Sequence, residues 1–244
     1  MIIYVNGDSH SAGAEAVNPY CFAEDDRLYS SLGRKPHPDN LQASYGCLVA
    51  NMLGAILDCD AESASSTDRI IRTTQSYFES NTPDLIIIGW STWEREEWLH
   101  DNTYYQITAG TTGWDWPKPL QEKFKTWVIE QTEPDVINQK FINNYNKIYE
   151  LRKFITDKGI PHLFFNTFSD FGHLQHLKHL GAELLDFGNS YLNPYSQDDS
   201  YYFWLKNQGF VTVNPKSYHY GADAHRAWAD YLLPHVQRLL TTKS

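Results

Sequence analysis

Residues 83–90 read PDLIIIGW. A turn-forming Pro-Asp pair gives way to four consecutive apolar residues, Leu85 to Ile88, with no polar residue among them. A strand with one wet face alternates apolar and polar positions. An unbroken apolar run is buried on both faces, which places it centrally in a parallel sheet covered by helices. Upstream, SSTDRIIRTTQSYF reads as a helix with Ser65 or Ser66 as cap and Asp68 in its first turn. AILDCD before it is a second candidate strand, and LQASYGCLVANMLG is a helix with Leu48, Val49, Met52 and Leu53 at helical spacing and Gly54 at its end. MIIYV at the start is a buried strand. Downstream, PDVINQKFINNYNKIYELRKFITDKG is a long amphipathic helix buried through Phe141, Tyr145, Ile148 and Ile155, and IPHLFFN is the strand after it. FVTV is a candidate last short strand, and GADAHRAWADYLLPHVQRLL is a closing helix. Strands and helices that alternate in this way imply a doubly wound sheet.

Two stretches break the alternation, about 92–132 and about 169–208, both rich in Trp, Tyr and His. Each is short for a core of its own, so they are expected to be insertions at one end of the sheet within a single domain spanning 1–244. The 244 residues are 41% apolar and 15% aromatic, enough for a sizeable core. A formal net charge of −10, without a basic cluster, disfavours nucleic acid and anionic membranes as partners. Cys21, Cys47 and Cys59 show no metal or redox spacing and suit a reducing compartment. The first strand starts within two residues of Met1 with no basic leader, so the expectation is a cytoplasmic chain without a signal peptide.

In open α/β sheets, sites form beyond the carboxyl ends of the strands. GDSHS follows the first strand, GWST follows LIII, and NT follows LFFN. Ser9 thus sits in the first such turn, where a serine becomes a nucleophile if a base reaches it. His219 lies in a loop just before the closing helix, and His225 follows six positions later.

The order of these blocks resembles the SGNH, or GDSL-type, hydrolase family. GDSHSAG resembles its first block, ASSTDRIIRTT stands in place of the second, LIIIGWST resembles the third, and HYGADAHRAWA the fifth. A weaker likeness is to SGNH-like proteins of tailed bacteriophages, which would place the chain in a host cytoplasm or a virion. The resemblance implies a three-layer α/β/α sandwich, flavodoxin-like in winding, with the two aromatic-rich insertions over the site. It implies a serine esterase or deacylase acting on a small-molecule or glycan ester, with Ser9 as nucleophile, His219 as base, and no cofactor or metal. The oxyanion donors are then the Ser9 N–H, a backbone N–H at Ala64 or Ser65, and the Ser91 hydroxyl. Trp90, Trp93, Arg95, Trp114 and Asn166 are candidate substrate contacts, Arg95 and Asn166 also having structural alternatives.

Three positions depart from the family pattern. Ala64 or Ser65 replaces the second-block Gly, Ser91 the third-block Asn, and Lys216 the Asp three residues before the histidine. Losing one oxyanion donor costs about 10²–10³ in rate, and losing the orienting acid about 10⁴. A backbone carbonyl, or an acid such as Asp198 or Asp199, is a candidate substitute for the last. The departures keep a second function class open: a weak or inactive SGNH-like domain that binds glycans or serves a structural role. A flavodoxin-like nucleotide binder is disfavoured, since no Gly-rich phosphate loop occurs. His173, His176 and His179 read as the polar stripe of an amphipathic helix, and Asp8 as a turn-shaping residue.

Overall fold

The computed structural model describes residues 1–108 and 110–241. Among the described residues six strands occur in chain order: β1 (Ile2–Gly7), β2 (Ile56–Cys59), β3 (Leu85–Trp90), β4 (Glu96–His100), β5 (Thr103–Ile107) and β6 (His162–Asn166). Four of them form a parallel sheet in the order β2-β1-β3-β6, which is a flavodoxin-like winding. The apolar run of β3 is central, as its lack of a polar face requires, and every residue of that strand is buried.

Alternation across the pleat sends side chains to two cores. Tyr4, Ile86, Ile88 and Phe164 face α3 (Thr67–Tyr77) and α5 (Pro134–Asp157), which contribute Ile70, Tyr145, Ile148 and Leu151. Ile3, Val5, Ile87, Leu163 and Phe165 face α2 (Tyr45–Met52), α6 (Tyr201–Asn207) and α7 (Ala222–Thr241), which contribute Val49, Leu205, Trp228 and Leu232. The result is the three-layer α/β/α sandwich.

Two local readings need correction. The helix expected over 41–54 is two helices, α1 (Pro38–Ala43) and α2. Ser44 between them is extended (φ −65°, ψ 149°), and its hydroxyl accepts from the Cys47 N–H as an N-cap. FVTV forms no sheet strand: Val211 is 84% exposed, and only Thr212 makes a bridge, to Tyr220. The place beyond β6 is taken by Tyr191, which bridges Phe164 in parallel.

The first insertion contains the β4–β5 hairpin and α4 (Lys118–Glu130). Trp98, Ile107, Leu120 and Trp127 bury against one another there, with Tyr105, Trp116 and Phe124 around them. Its rings therefore serve mainly as its own small core. The second insertion is a series of short 3₁₀ turns leading into α6, and Tyr191, Tyr195 and Tyr201 from it join the two main cores. His173 and His176 lie in one of those 3₁₀ turns and not on an α-helix. Among the described residues no helix is long and apolar enough to cross a membrane.

Candidate active site

The turn after β1 is built around close backbone approach. Gly7 and Gly89 are paired in register at the ends of β1 and β3. A Cβ on Gly7 would meet Ser11 Oγ at 2.1 Å, and one on Gly89 would meet it at 2.7 Å. The two missing side chains make room for Ser11, whose Oγ accepts from Tyr45 O–H at 2.6 Å. The chain therefore folds tightly over the strand ends, with Ala12 N–H donating to Asp8 O and Ala14 N–H to Ser9 O. Ser9 is buried at this turn, 5% exposed.

Asp8 is buried beside it and shapes the turn: its Oδ1 accepts from His10 N–H at 3.0 Å. Its Oδ2 accepts from Thr167 Oγ1 and from Arg95 Nη1, each at 3.3 Å. The same Arg95 nitrogen donates to Ser91 Oγ at 2.9 Å and to Ser65 O at 3.5 Å. One guanidinium thus ties together the turns after β1, after β2 and after β3, and balances the buried Asp8 carboxylate.

Ser9, Ala64, Arg95 and His219 line one cavity of about 410 Å³, together with His10, Thr92, Phe168 and Tyr218. His219 Nδ1 lies 2.6 Å from Glu15 Oε2. A carboxylate accepts only, so Nδ1 carries the proton and Nε2 is left as the free acceptor. The carboxylate beside His219 is Glu15, which the sequence does not single out. It comes from the loop after Ser9, at φ 62°, a left-handed conformation rare for a residue with a Cβ. Burial works to raise the Glu15 carboxyl, but hydrogen bonds from Ser217, His219 and Asn214 outweigh it and hold the group below the usual carboxylate range. Lys216 stays exposed, and its N–H donates to Asn214 Oδ1. Asp198 and Asp199 are bonded to Asn207 and Asn193 and take no part.

Neither Ser9 Oγ nor His219 Nε2 has a hydrogen-bond partner among the described residues. The Ser9 and Ala64 N–H groups also lack an acceptor among those residues. Ala64 stands at φ 69°, so it adopts the turn that a glycine would adopt more cheaply. The Ser65 N–H and hydroxyl are both bound to Glu62 O, at 3.1 and 2.7 Å, which removes it as a donor. Ser91 does not line the cavity, and its Oγ accepts from Arg95; Thr92, the next residue, lines the cavity instead.

His10 packs edge-on against the His219 ring at 5.2 Å, and burial pushes its pKa down to about 4, so at neutral pH it is an uncharged wall. His225 is buried against Tyr45 and Tyr201, its pKa also driven down by burial, to about 3.

The cavity continues into a second space of about 810 Å³, sharing Thr92, Arg95, Thr108 and Phe168. Trp93, Phe141, Asn138, Asp170 and His173 line that extension. Three candidate contacts lie elsewhere. Trp90 is 1% exposed and packs edge-on against Phe164 in the core. Asn166 donates to Pro194 O and accepts from Tyr191 O–H, bracing the second insertion. Trp114 is 85% exposed and lines neither space. Arg95 and Trp93 alone of the five reach the cleft. Phe168 and Tyr218 were missed, since an isolated aromatic in a loop carries no periodic signal.

No protein-family model matches the sequence, and no curated protein matches it. Among solved structures the chain is similar to a "putative lipolytic protein of G-D-S-L family" from Desulfitobacterium hafniense DCB-2 (8% identity, 96% of this chain and 98% of that one, TM-score 0.49). It is also similar to the psychrotrophic esterase EstA from Pseudoalteromonas sp. (10% identity, 98% of each chain, TM-score 0.48). A third similar structure is an acetyl xylan esterase from the rumen bacterium Butyrivibrio proteoclasticus (12% identity, 98% of this chain, TM-score 0.43), of which the chain spans 64%.

Proposed function

We propose that the chain is a serine ester hydrolase of the SGNH type, working through Ser9, His219 and Glu15 on an O-acyl group carried by a glycan or a small molecule. The observation that carries this reading is the Glu15–His219 contact of 2.6 Å in a residue pair whose histidine shares a cavity with Ser9. His219 Nε2 takes the Ser9 proton as Oγ attacks the ester carbonyl, and Glu15 supports the imidazolium that forms. The Ser9 and Ala64 N–H groups hold the oxyanion. The alcohol leaves with the proton from His219. Water, deprotonated by His219, then attacks the acyl-enzyme, and the acid is released with Ser9 Oγ regaining its proton. No step calls for a cofactor.

The glycan preference rests on the cleft extension, where Trp93, Phe141 and Phe168 stand beside Asn138 and Asp170. Aromatic faces for sugar rings next to fixed polar groups suit a polyhydroxylated ligand better than a long acyl chain. A second reading, a non-hydrolytic glycan-binding domain, is favoured by the missing direct bond between Ser9 and His219 and by the sequestered Ser91 hydroxyl. A fluorophosphonate probe separates the two. Labelling of wild type that is lost in Ser9→Ala, with turnover of acetylated glycans, is the expected outcome. Glycan binding equal in wild type and Ser9→Ala, with neither labelling nor turnover, would establish the second reading.

A further inference from the structure

Cys21 is a thiol that the hydrolytic scheme does not use, and it stands next to that scheme's acid and base. The ligating atoms of Glu15, Cys21 and His219 all lie within 4.8 Å of one another. We propose that these three residues form a binding site for a thiophilic divalent cation of the zinc class, and that filling it shuts off the Ser9 centre. The second half rests on the hydrolase reading above; the first half does not.

The donor set is one carboxylate oxygen, one thiolate and one imidazole nitrogen, the combination that zinc accepts and that magnesium and calcium do not. Bond lengths of about 2.0–2.3 Å around a tetrahedral ion put ligand atoms roughly 3.3–3.8 Å apart. The three atoms therefore need to shift by about an ångström or less, with the Glu15–His219 contact opening and the thiol closing in. All three side chains are held: His219 is buried, and Glu15 and Cys21 are half-buried. The left-handed backbone at Glu15 fixes where its carboxylate starts.

An ion also needs a way in and room for a water as fourth ligand. A separate cavity of about 470 Å³, lined by Glu15, Ala16, Pro19 and Asn214, reaches Glu15 without passing Ser9. Substrate and cation would thus approach the Glu15–His219 pair by different routes.

The effect on chemistry follows from the tautomer. Glu15 now holds the proton on His219 Nδ1 and leaves Nε2 as the base. A cation bound at Nδ1 takes that lone pair, so the ring proton moves to Nε2, where it blocks acceptance of the Ser9 proton. Glu15 is withdrawn from the ring at the same time. Cys21 gives up its thiol proton to solvent, so one proton is released for each ion bound.

The test uses the intact protein, with Co²⁺ as spectroscopic probe and Zn²⁺ as inhibitor. Wild type should bind one equivalent of Co²⁺ with a thiolate-to-metal charge-transfer band. Cys21→Ser should lose the band while keeping ester turnover and its melting temperature. Zn²⁺ should abolish wild-type turnover reversibly, with recovery on chelation, and should inhibit Cys21→Ser at least tenfold less strongly. No stoichiometric band, or an equal band in Cys21→Ser, would overturn the site. Cysteine-dependent binding that leaves turnover untouched would overturn the switch. Absence of turnover in the metal-free wild type would count against the hydrolase reading, and the cobalt titration would still decide the site.

Discussion

Replacing Glu15 by Gln isolates the acid from every other feature of the centre. The side chain keeps its volume, and Glu15 does not line the cavity that holds Ser9, so substrate contacts should be unchanged. What is lost is the negative charge 2.6 Å from His219 Nδ1. Both side chains are largely out of water, 12% and 9% exposed, so an effective dielectric near 20 applies better than that of bulk water. A unit charge acting on the imidazolium over about 4 Å is then worth about 4 kcal/mol, or roughly 10³ in rate. The amide adds a second fault, since it can turn its NH₂ toward Nδ1 and select the wrong tautomer, extending the loss toward about 10⁴. The expected result is a fall in kcat for p-nitrophenyl acetate of about 10³–10⁴ with KM within a few-fold of wild type. Glu15→Asp, with a shorter reach, should fall between the two. A kcat for Glu15→Gln within tenfold of wild type would show that His219 is oriented by something else, and the triad assignment would fail.

Three other outcomes follow from the same geometry. His10 and His225 are held to about 4 and about 3, against about 6.5 in an unfolded chain, so the folded protein excludes protons that the unfolded chain binds. Their stabilisation is full above pH 6.5 and declines as pH falls toward 4; at pH 5 the loss is about 2 kcal/mol for each. Urea midpoints at pH 7.5 and 5.0 should differ accordingly, and a His225→Gln chain with the same pH dependence as wild type would contradict this. Ala64→Gly relieves a left-handed backbone and should change stability by less than about 1 kcal/mol with activity retained, whereas Ala64→Val should cost about 2 kcal/mol. Equal urea stability of both variants would mean the turn is not strained. Arg95→Met strands the buried Asp8 carboxylate and should cost about 3–5 kcal/mol, much of it recovered by adding Asp8→Asn. Additive losses in that double variant would disprove the coupling.

The sheet was legible because its strands are short, continuous apolar runs between helices of clear period, and burial on two faces leaves no other way to place them. The reading failed where the same signals lose their physical basis. The apolar spacing runs through α1 and α2, and only the extended backbone at Ser44 separates them. FVTV has β-branched residues but no partner strand, and exposed valines satisfy a propensity without a sheet. The aromatic-rich first insertion was expected over the site, with Trp93 and Trp114 as candidate contacts, yet a hairpin and one helix need a core, and Trp98 and Trp127 supply it.

The centre divides along a different line. Ser9 and His219, which share one cavity, were candidates from chain order alone: a turn after the first strand and a loop before the last helix. The acid was sought near His219, where Lys216 stands, and among carboxylates of the second insertion. The carboxylate that meets His219 lies instead in the loop after Ser9, six residues beyond it and 204 before His219. That loop is oriented by Asn40, whose Oδ1 accepts from Val17 and Asn18 N–H and whose Nδ2 donates to Tyr20 O. Sequence spacing cannot encode such a relation, because the carboxylate is aimed by a left-handed residue and a buried amide from a separate helix. The consequence for the proposed triad is mechanical: nucleophile and acid share one segment, while the base alone arrives from the far end of the chain. Docking of α7 against the sheet, through Trp228 and Leu232, therefore sets the separation of Ser9 and His219, and the loop sets that of Ser9 and Glu15. The two adjustments are coupled, because Glu15 bonds to His219 and the Ala222 N–H at the start of α7 donates to Ala16 O, beside Glu15.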